Sequence, residues 1–302
     1  MKGWIFSLVA TVALVAQAQW QRVVPLYDGV APGNRDDIAV QEFLRPNEDS
    51  IYKMVSKPRL VIYRPPADID RHRGIVVCPG GSYNSVCYGY EGCRVALALA
   101  QRGFTSLVLI YRVPDDAIEL DKSLAPLQDL QQAIRYAREH AGDLGYDPNR
   151  LGVMGFSAGG NLVSNALVHH DHVLIDNPAG TSLRPDYGVL VYPVITFDDG
   201  IAHKESFVNL AGIQGRVPAD KALLLSTERQ VTAGTPPTLL LHGTADTLVP
   251  VQNSIVFYQA MLAHGRPVEM HLYDGANHGF FGYPALHQWL DDVDRFVDHI
   301  LR

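Results

Sequence analysis

Cysteine is scarce. The 302-residue chain has three, Cys78, Cys87 and Cys93, too few for a disulfide framework. They allow either one bridge, with Cys87 and Cys93 six residues apart on one loop-to-helix stretch, or three buried thiols. No cluster of Lys or Arg occurs, and 25 basic against 32 acidic residues leave a formal charge of -7, a poor match for phosphate backbones or anionic lipid. Neither G-x-G-x-x-G nor G-x-x-x-x-G-K-[ST] is present, so no nucleotide cofactor is indicated. There is no internal repeat or low-complexity tract, and no placed pair of carboxylates of the kind glycosidic hydrolysis requires. His169-His170-Asp171-His172 has metal-ligand residue types, but adjacent side chains in a helical stretch diverge, and no metal is assigned. Long apolar runs are missing as well. The stretch from Trp4 to Ala16 falls short of the roughly 20 residues a bilayer helix needs. With Lys2 before it and Ala16-Gln17-Ala18 after it, it predicts a secretory signal peptide over residues 1–18, and an exported, periplasmic or secreted protein.

What is present is an ordinary globular composition, 47% hydrophobic with 26 Gly and 19 Pro. From residue 59 onward, short apolar runs alternate with longer helical patterns, the pattern of a mostly parallel sheet covered by helices. Strands are expected at Leu60–Tyr63, Gly74–Cys78, Thr105–Tyr111, Leu151–Gly155, Tyr187–Tyr192, Thr238–His242 and Val268–Tyr273. Helices are expected at Gly92–Arg102, Pro126–His140, Ala158–His169, Val251–His264 and Pro284–Leu301. Residues 196–234 break the alternation and read as a partly helical, lid-like insertion over one end of the sheet. Residues 19–58 read as an irregular lead-in with one edge strand. Arg112 and Asp129 are expected to pair in a structural role.

Gly155-Phe156-Ser157-Ala158-Gly159 matches G-x-S-x-G directly after an expected strand and directly before an expected helix. A serine on that turn projects its hydroxyl above the sheet, but at neutral pH it needs a base oriented by a carboxylate. Asp246 follows the strand Thr238–His242, and His278 follows the strand Val268–Tyr273, both at the C-terminal ends where open α/β sheets place their sites. Among 12 histidines, His278 stands out by its glycine-rich loop; His242 is the nearest rival, read as packing. Asp274 is the minority alternative to Asp246. Oxyanion donors are expected from the backbone N–H groups of Gly81, Ser82 and Ala158, whereas Pro79 cannot donate. Tyr83, Tyr90 and Phe280, with Tyr88, Phe281 and Tyr283 nearby, are candidates for a substrate-binding wall, and equally for core.

With these residues assembled, the chain resembles the α/β-hydrolase superfamily from about residue 59 to its end, and residues 19–302 read as one catalytic domain of that fold. Val77-Cys78-Pro79-Gly80-Gly81-Ser82-Tyr83, Glu91-Gly92, Tyr111-Arg112-Val113, Pro126-Leu127-Gln128-Asp129 and Gly155-Phe156-Ser157-Ala158-Gly159-Gly160 resemble secreted bacterial esterases related to acetylxylan and feruloyl esterases. The loop departs from many relatives in having Ser82 for a third glycine, and Tyr90 stands where a histidine is common. The resemblance implies cofactor-free Ser-His-Asp removal of acyl groups, acetyl first, from plant polysaccharides such as xylan. A feruloyl esterase, a lipase, a serine peptidase related to prolyl oligopeptidases and a catalytically inactive binding module are the alternatives. Neither nucleic acid nor membrane is an expected partner, and the sequence leaves the oligomeric state open.

Overall fold

The computed structural model describes residues 21–35, 42–45, 50–213 and 215–302. The leader expected at residues 1–18 lies outside them. The chain enters as strand β1 (Gln21–Pro25), adds the short strands β2 (Phe43–Arg45) and β3 (Ile51–Lys53), and continues as β4 (Arg59–Tyr63) and β5 (Arg73–Cys78). Strand β6 (Val86–Cys87) and one π-helical turn, Tyr88–Cys93, lead into α1 (Arg94–Ala100). There follow β7 (Phe104–Ile110), α2 (Ala125–Glu139), α3 (Ala141–Leu144), β8 (Leu151–Phe156), α4 (Ser157–Val168) and β9 (Tyr187–Val191). Helices α5 (Lys204–Ala211) and α6 (Ala219–Leu225) occupy the long connection to β10 (Thr238–Gly243). Helix α7 (Gln252–Ala263), β11 (Val268–Tyr273) and α8 (Leu286–Ile300) complete the order.

Eight strands form one sheet in the order β1-β4-β7-β5-β8-β9-β10-β11, and β2, β3 and β6 form a separate small sheet. All pairings from β7 to β11 are parallel, whereas β4 is antiparallel to both β1 and β7. Every residue of β5, β7, β8, β9 and β10 is buried, which is why those strands read as nearly continuous apolar runs. The edge strand β11 is only partly buried and carries Glu269 and His271, side chains that solvate an open edge. Helix α1 packs on α8 and α2 on α4, giving two pairs that cover the sheet.

The sheet topology positions the site. Strand β5 lies between β7 and β8, so the chain runs outward from β5 to β7 and then crosses back to β8 on its other side. At such a reversal the loops leaving adjacent strand ends diverge and open a crevice. The register Cys78↔Gly155 brings the Pro79 loop level with the turn at Ser157, and Gly243↔Tyr273 does the same for the loops after β10 and β11. Buried Arg112 pairs with Asp129 at 2.8 Å, and its Nη1 donates to both Pro32 O and Asn34 Oδ1, tying down the lead-in. Neither charge is left unpartnered, as a buried pair requires.

No disulfide joins the three cysteines: Cys78 is buried, and Cys87 and Cys93 are half-buried thiols. Of the described residues, no helix is long and apolar enough to cross a membrane.

Candidate active site

Strand β8 ends at Phe156, and Ser157 opens α4 with φ +52. A non-glycine residue in that region stores roughly 1–3 kcal/mol of backbone strain, which the surroundings must hold in place. They do so by close packing. A Cβ on Gly155 would lie 2.2 Å from Gly159 O, and one on Gly159 would lie 2.2 Å from Cys78 O, so strand, helix and the β5 loop meet only because both positions lack side chains. The Val194 N–H also donates to Ser157 O at 3.0 Å.

Ser157 Oγ stands 3.0 Å from His278 Nε2, and His278 Nδ1 donates to Asp246 Oδ2 at 2.6 Å. The three side chains, 121 and 32 residues apart in sequence, thus form one hydrogen-bonded chain at the C-terminal edge of the sheet. With its Nδ1 proton committed to the carboxylate, the neutral imidazole offers the lone pair of Nε2 to the serine hydroxyl. Asp274 takes no part in this chain; it accepts from Thr244 Oγ1 instead.

Four donors converge on Asp246. Oδ2 accepts from His278 Nδ1 and from His242 Nε2 at 3.2 Å, and Oδ1 accepts from Leu248 N and Val249 N at 3.0 and 2.8 Å. Burial by itself raises the carboxyl pKa, but the hydrogen bonds to His242 and His278, the positive charge His278 carries when protonated and the Val249 N–H outweigh it and hold Asp246 well below the usual carboxylate range. His242, read from the sequence as packing, is therefore a direct partner of this carboxylate. Its Nε2 faces two acceptors, Asp246 Oδ2 and Val249 O, so Nε2 carries the proton and Nδ1 accepts from Ser254 Oγ at 2.7 Å.

Across the crevice, Gly81, Ser82 and Tyr83 have φ of +127, +55 and +56. The turn is closed by Asn84 N and Ser85 N, which donate to Gly81 O, while Asn209 Nδ2 of α5 donates to Ser82 O at 2.9 Å. The Gly80 N–H is taken by Glu91 Oε2 at 2.6 Å. Among the described residues the Gly81 and Ser82 N–H groups are not used in closing the turn, which leaves them for a ligand. Ala158 N lies at the start of α4, where helix N–H groups lack intrahelical partners and the dipole favours negative charge.

Glu91 is a site residue that sequence reasoning reached only as part of a family motif. Its carboxylate also accepts from Tyr192 OH at 3.0 Å, and the Tyr192 ring packs 4.6 Å from that of His278. Burial raises the Glu91 pKa, against the opposing pull of Gly80 N–H, His278 and Tyr192 OH. A hydrogen-bonded bracket thus runs from the Gly80 loop through Glu91 and Tyr192 to the face of His278.

The aromatic candidates separate. Tyr83 is buried, with its hydroxyl donating to Asn161 Oδ1, and Phe280 is buried against Tyr192, Tyr273 and Trp289. Tyr90 is half-buried and, with Phe280, lines a small cavity of about 110 Å³. Phe281 and Tyr283 are exposed. The 196–234 segment is partly helical, as expected; it packs against α4 through Asn161 Nδ2 to Leu225 O and Thr227 Oγ1 to Ser164 Oγ, and reaches the Ser82 loop through Asn209. Among the described residues no cluster of three His, Cys, Asp or Glu side chains is arranged to hold a metal ion.

A mostly parallel sheet with its serine turn and its histidine and aspartate loops in this order is that of an α/β-hydrolase. Within that class the match is narrower: the family described as BD-FAE matches residues 60–261, and the chain belongs to it. An acetylxylan esterase of Xylanibacter ruminicola is 33% identical over 233 residues, 76% of this chain and 46% of that protein. Endo-1,4-beta-xylanase B of Butyrivibrio fibrisolvens is 34% identical over 225 residues, 74% of this chain and 34% of that protein. The chain spans half or less of the length of these two relatives. Among solved structures, an acetyl ester-xyloside bifunctional hydrolase from Caldicellulosiruptor lactoaceticus superimposes with a TM-score of 0.72 at 33% identity, covering 92% of this chain and 96% of that one. The butyrate-bound esterase 2 of Thermogutta terrifontis gives a TM-score of 0.66 at 27% identity, covering 81% and 90%.

Proposed function

We propose that this protein is a serine carboxylic ester hydrolase that removes acyl groups, acetyl first, from a plant polysaccharide such as xylan. The observation that carries the reading is the continuous Ser157–His278–Asp246 hydrogen-bonded chain facing the Gly81-Ser82 loop. Ser157 Oγ attacks the ester carbonyl as His278 Nε2 takes its proton, and Asp246 holds the ring and stabilises its charged form. The N–H groups of Gly81, Ser82 and Ala158 receive the oxyanion, each donor being worth about 2.7–4 kcal/mol in comparable sites. His278 then protonates the departing sugar alkoxide, and water activated by the same nitrogen cleaves the acyl-enzyme. Acetylated xylan as substrate is supported by the names of the relatives, an acetylxylan esterase and an acetyl ester-xyloside hydrolase. The export expected from residues 1–18 fits a polymer too large to enter a cell.

Released acid, measured directly from acetylated xylan, methyl ferulate, longer-chain esters and a peptide substrate, tests the reading. Acetate release should lead, with rates falling as the acyl chain lengthens. Activity confined to methyl ferulate, to long acyl chains or to the peptide would replace the acetyl reading with the corresponding alternative, and no acid from any ester would refute ester hydrolysis itself.

A further inference from the structure

Three residues beyond His278 lies Phe281, at 79% the most exposed large apolar side chain among the described residues. A single exposed apolar side chain is ordinary in itself; what sets Phe281 apart is its place beside His278 and the contacts that position its ring. The ring is held in position. Gly279, with φ +83, directly follows His278, and a Cβ there would lie 2.5 Å from Phe281 Cε2 and 2.9 Å from Cζ. The phenyl ring is therefore folded back against the backbone adjoining His278, in space that only glycine leaves open. On its protein side the ring meets Tyr90, with centroids 5.1 Å apart and planes tilted by 34°. Tyr90 is anchored in turn by its hydroxyl donating to Phe280 O at 3.3 Å and by the Arg94 guanidinium 4.9 Å from its ring.

We propose that Phe281, backed by Tyr90, is the platform on which the pyranose ring bearing the ester stacks. The inference rests on the esterase reading given above. In that reaction the proton goes to the leaving oxygen from His278 Nε2, so the alcohol half of the ester lies on the His278 side of Ser157 while the acyl half points away. The 279–282 loop continues directly from His278; Gly279 and Phe280 are buried in it, and Phe281 is its exposed large apolar side chain. A pyranose presents a face of C–H groups that pairs with an aromatic face and needs no charge, and aromatic linings of this kind orient ligands while a few polar groups fix their chemistry. A small aliphatic alcohol has no such face and gains nothing from the ring.

The experiment compares wild type, Phe281→Ala and Phe281→Trp on an acetylated xylo-oligosaccharide, on ethyl acetate and on methyl ferulate. Because Phe281 is exposed, its truncation should leave folding intact, which a thermal melt checks. Phe281→Ala should raise KM for the oligosaccharide by about five- to ten-fold, the scale of one aromatic contact. The kcat/KM for ethyl acetate should stay within about two-fold of wild type, and Phe281→Trp should restore the oligosaccharide KM. An oligosaccharide KM that Phe281→Ala leaves unchanged, an equal loss on ethyl acetate, or a loss confined to methyl ferulate overturns the platform while the esterase reading stands. Wild-type protein inactive on all three substrates overturns both.

Discussion

Asp246→Asn keeps the side chain's shape and removes one charge and one acceptor. Its consequence follows from the four donors that converge on the carboxylate. An asparagine has one acceptor oxygen and one donor NH₂ to set against them. If the oxygen turned toward His278 and His242, the NH₂ would face the N–H groups of Leu248 and Val249, leaving the part-buried Leu248 donor and the buried Val249 donor unmatched, the latter at about 1–3 kcal/mol. The opposite orientation keeps both backbone bonds, and His242 Nε2 retains Val249 O at 3.0 Å. The NH₂ then faces His278 Nδ1, which must become the acceptor, and the ring proton moves to Nε2. In that tautomer Nε2 donates to Ser157 Oγ instead of accepting from it, and the base is lost. The corresponding change in the Ser-His-Asp template costs about 10⁴ in kcat, about 5.4 kcal/mol of barrier. Steady-state hydrolysis of an acetyl ester should therefore show kcat lowered by about 10⁴ with KM little changed, and the melting temperature should fall by only a few degrees. A cooperatively folded Asp246→Asn protein with kcat within ten-fold of wild type would refute the tautomer argument.

Two further substitutions test the surroundings. Glu91→Ala strips the acceptor from the buried Gly80 N–H and Tyr192 OH, so unfolding by denaturant should show a loss of roughly 2–6 kcal/mol, with kcat/KM down by about 10² as the Gly81-Ser82 loop loosens. Glu91→Gln, which keeps an acceptor for Gly80, should recover most of the stability; an alanine variant as stable and active as wild type would remove the bracket from the account. Among the described residues the buried Oε1 of Glu119 has no hydrogen-bond partner, and burial, the largest influence on it, pushes its pKa up to about 7. The unfolded value is about 4.3, so between these limits the folded state binds the extra proton and stability falls as pH rises. Glu119→Gln should therefore gain stability over wild type at pH 8, a difference that shrinks toward pH 4; a difference independent of pH would contradict this origin.

The strands expected from apolar runs match the structure to within one residue at each end, and the expected helices to within two. That success has a physical basis, because strands buried on both faces must be apolar throughout and the helices between them must carry an apolar stripe. The sheet of β2, β3 and β6 escaped, since strands of two or three residues have no period to read. The helix expected from Gly92 begins at Arg94 because a π-helical turn precedes it, and that turn carries Glu91 under the Gly80 loop. The places of Ser157, Asp246 and His278 were legible because each follows a readable strand end. The partnership of His242 with Asp246 and Ser254 was not, as residue type alone does not distinguish a packed imidazole from a hydrogen-bonded one. The aromatic candidates show the same limit. Tyr83 turns inward to Asn161 while Phe281 turns outward over Gly279, and nothing in their loops' composition records the direction.

The proposed mechanism requires Ser157 to become acylated during turnover. A slowly deacylated ester, quenched in acid during steady turnover and followed by mass spectrometry of the digested protein, reads this directly. The mass of one acyl group should appear on the peptide holding Ser157 and should vanish, together with turnover, in Ser157→Ala. Turnover persisting in Ser157→Ala, or the acyl group found on another residue, would contradict the account.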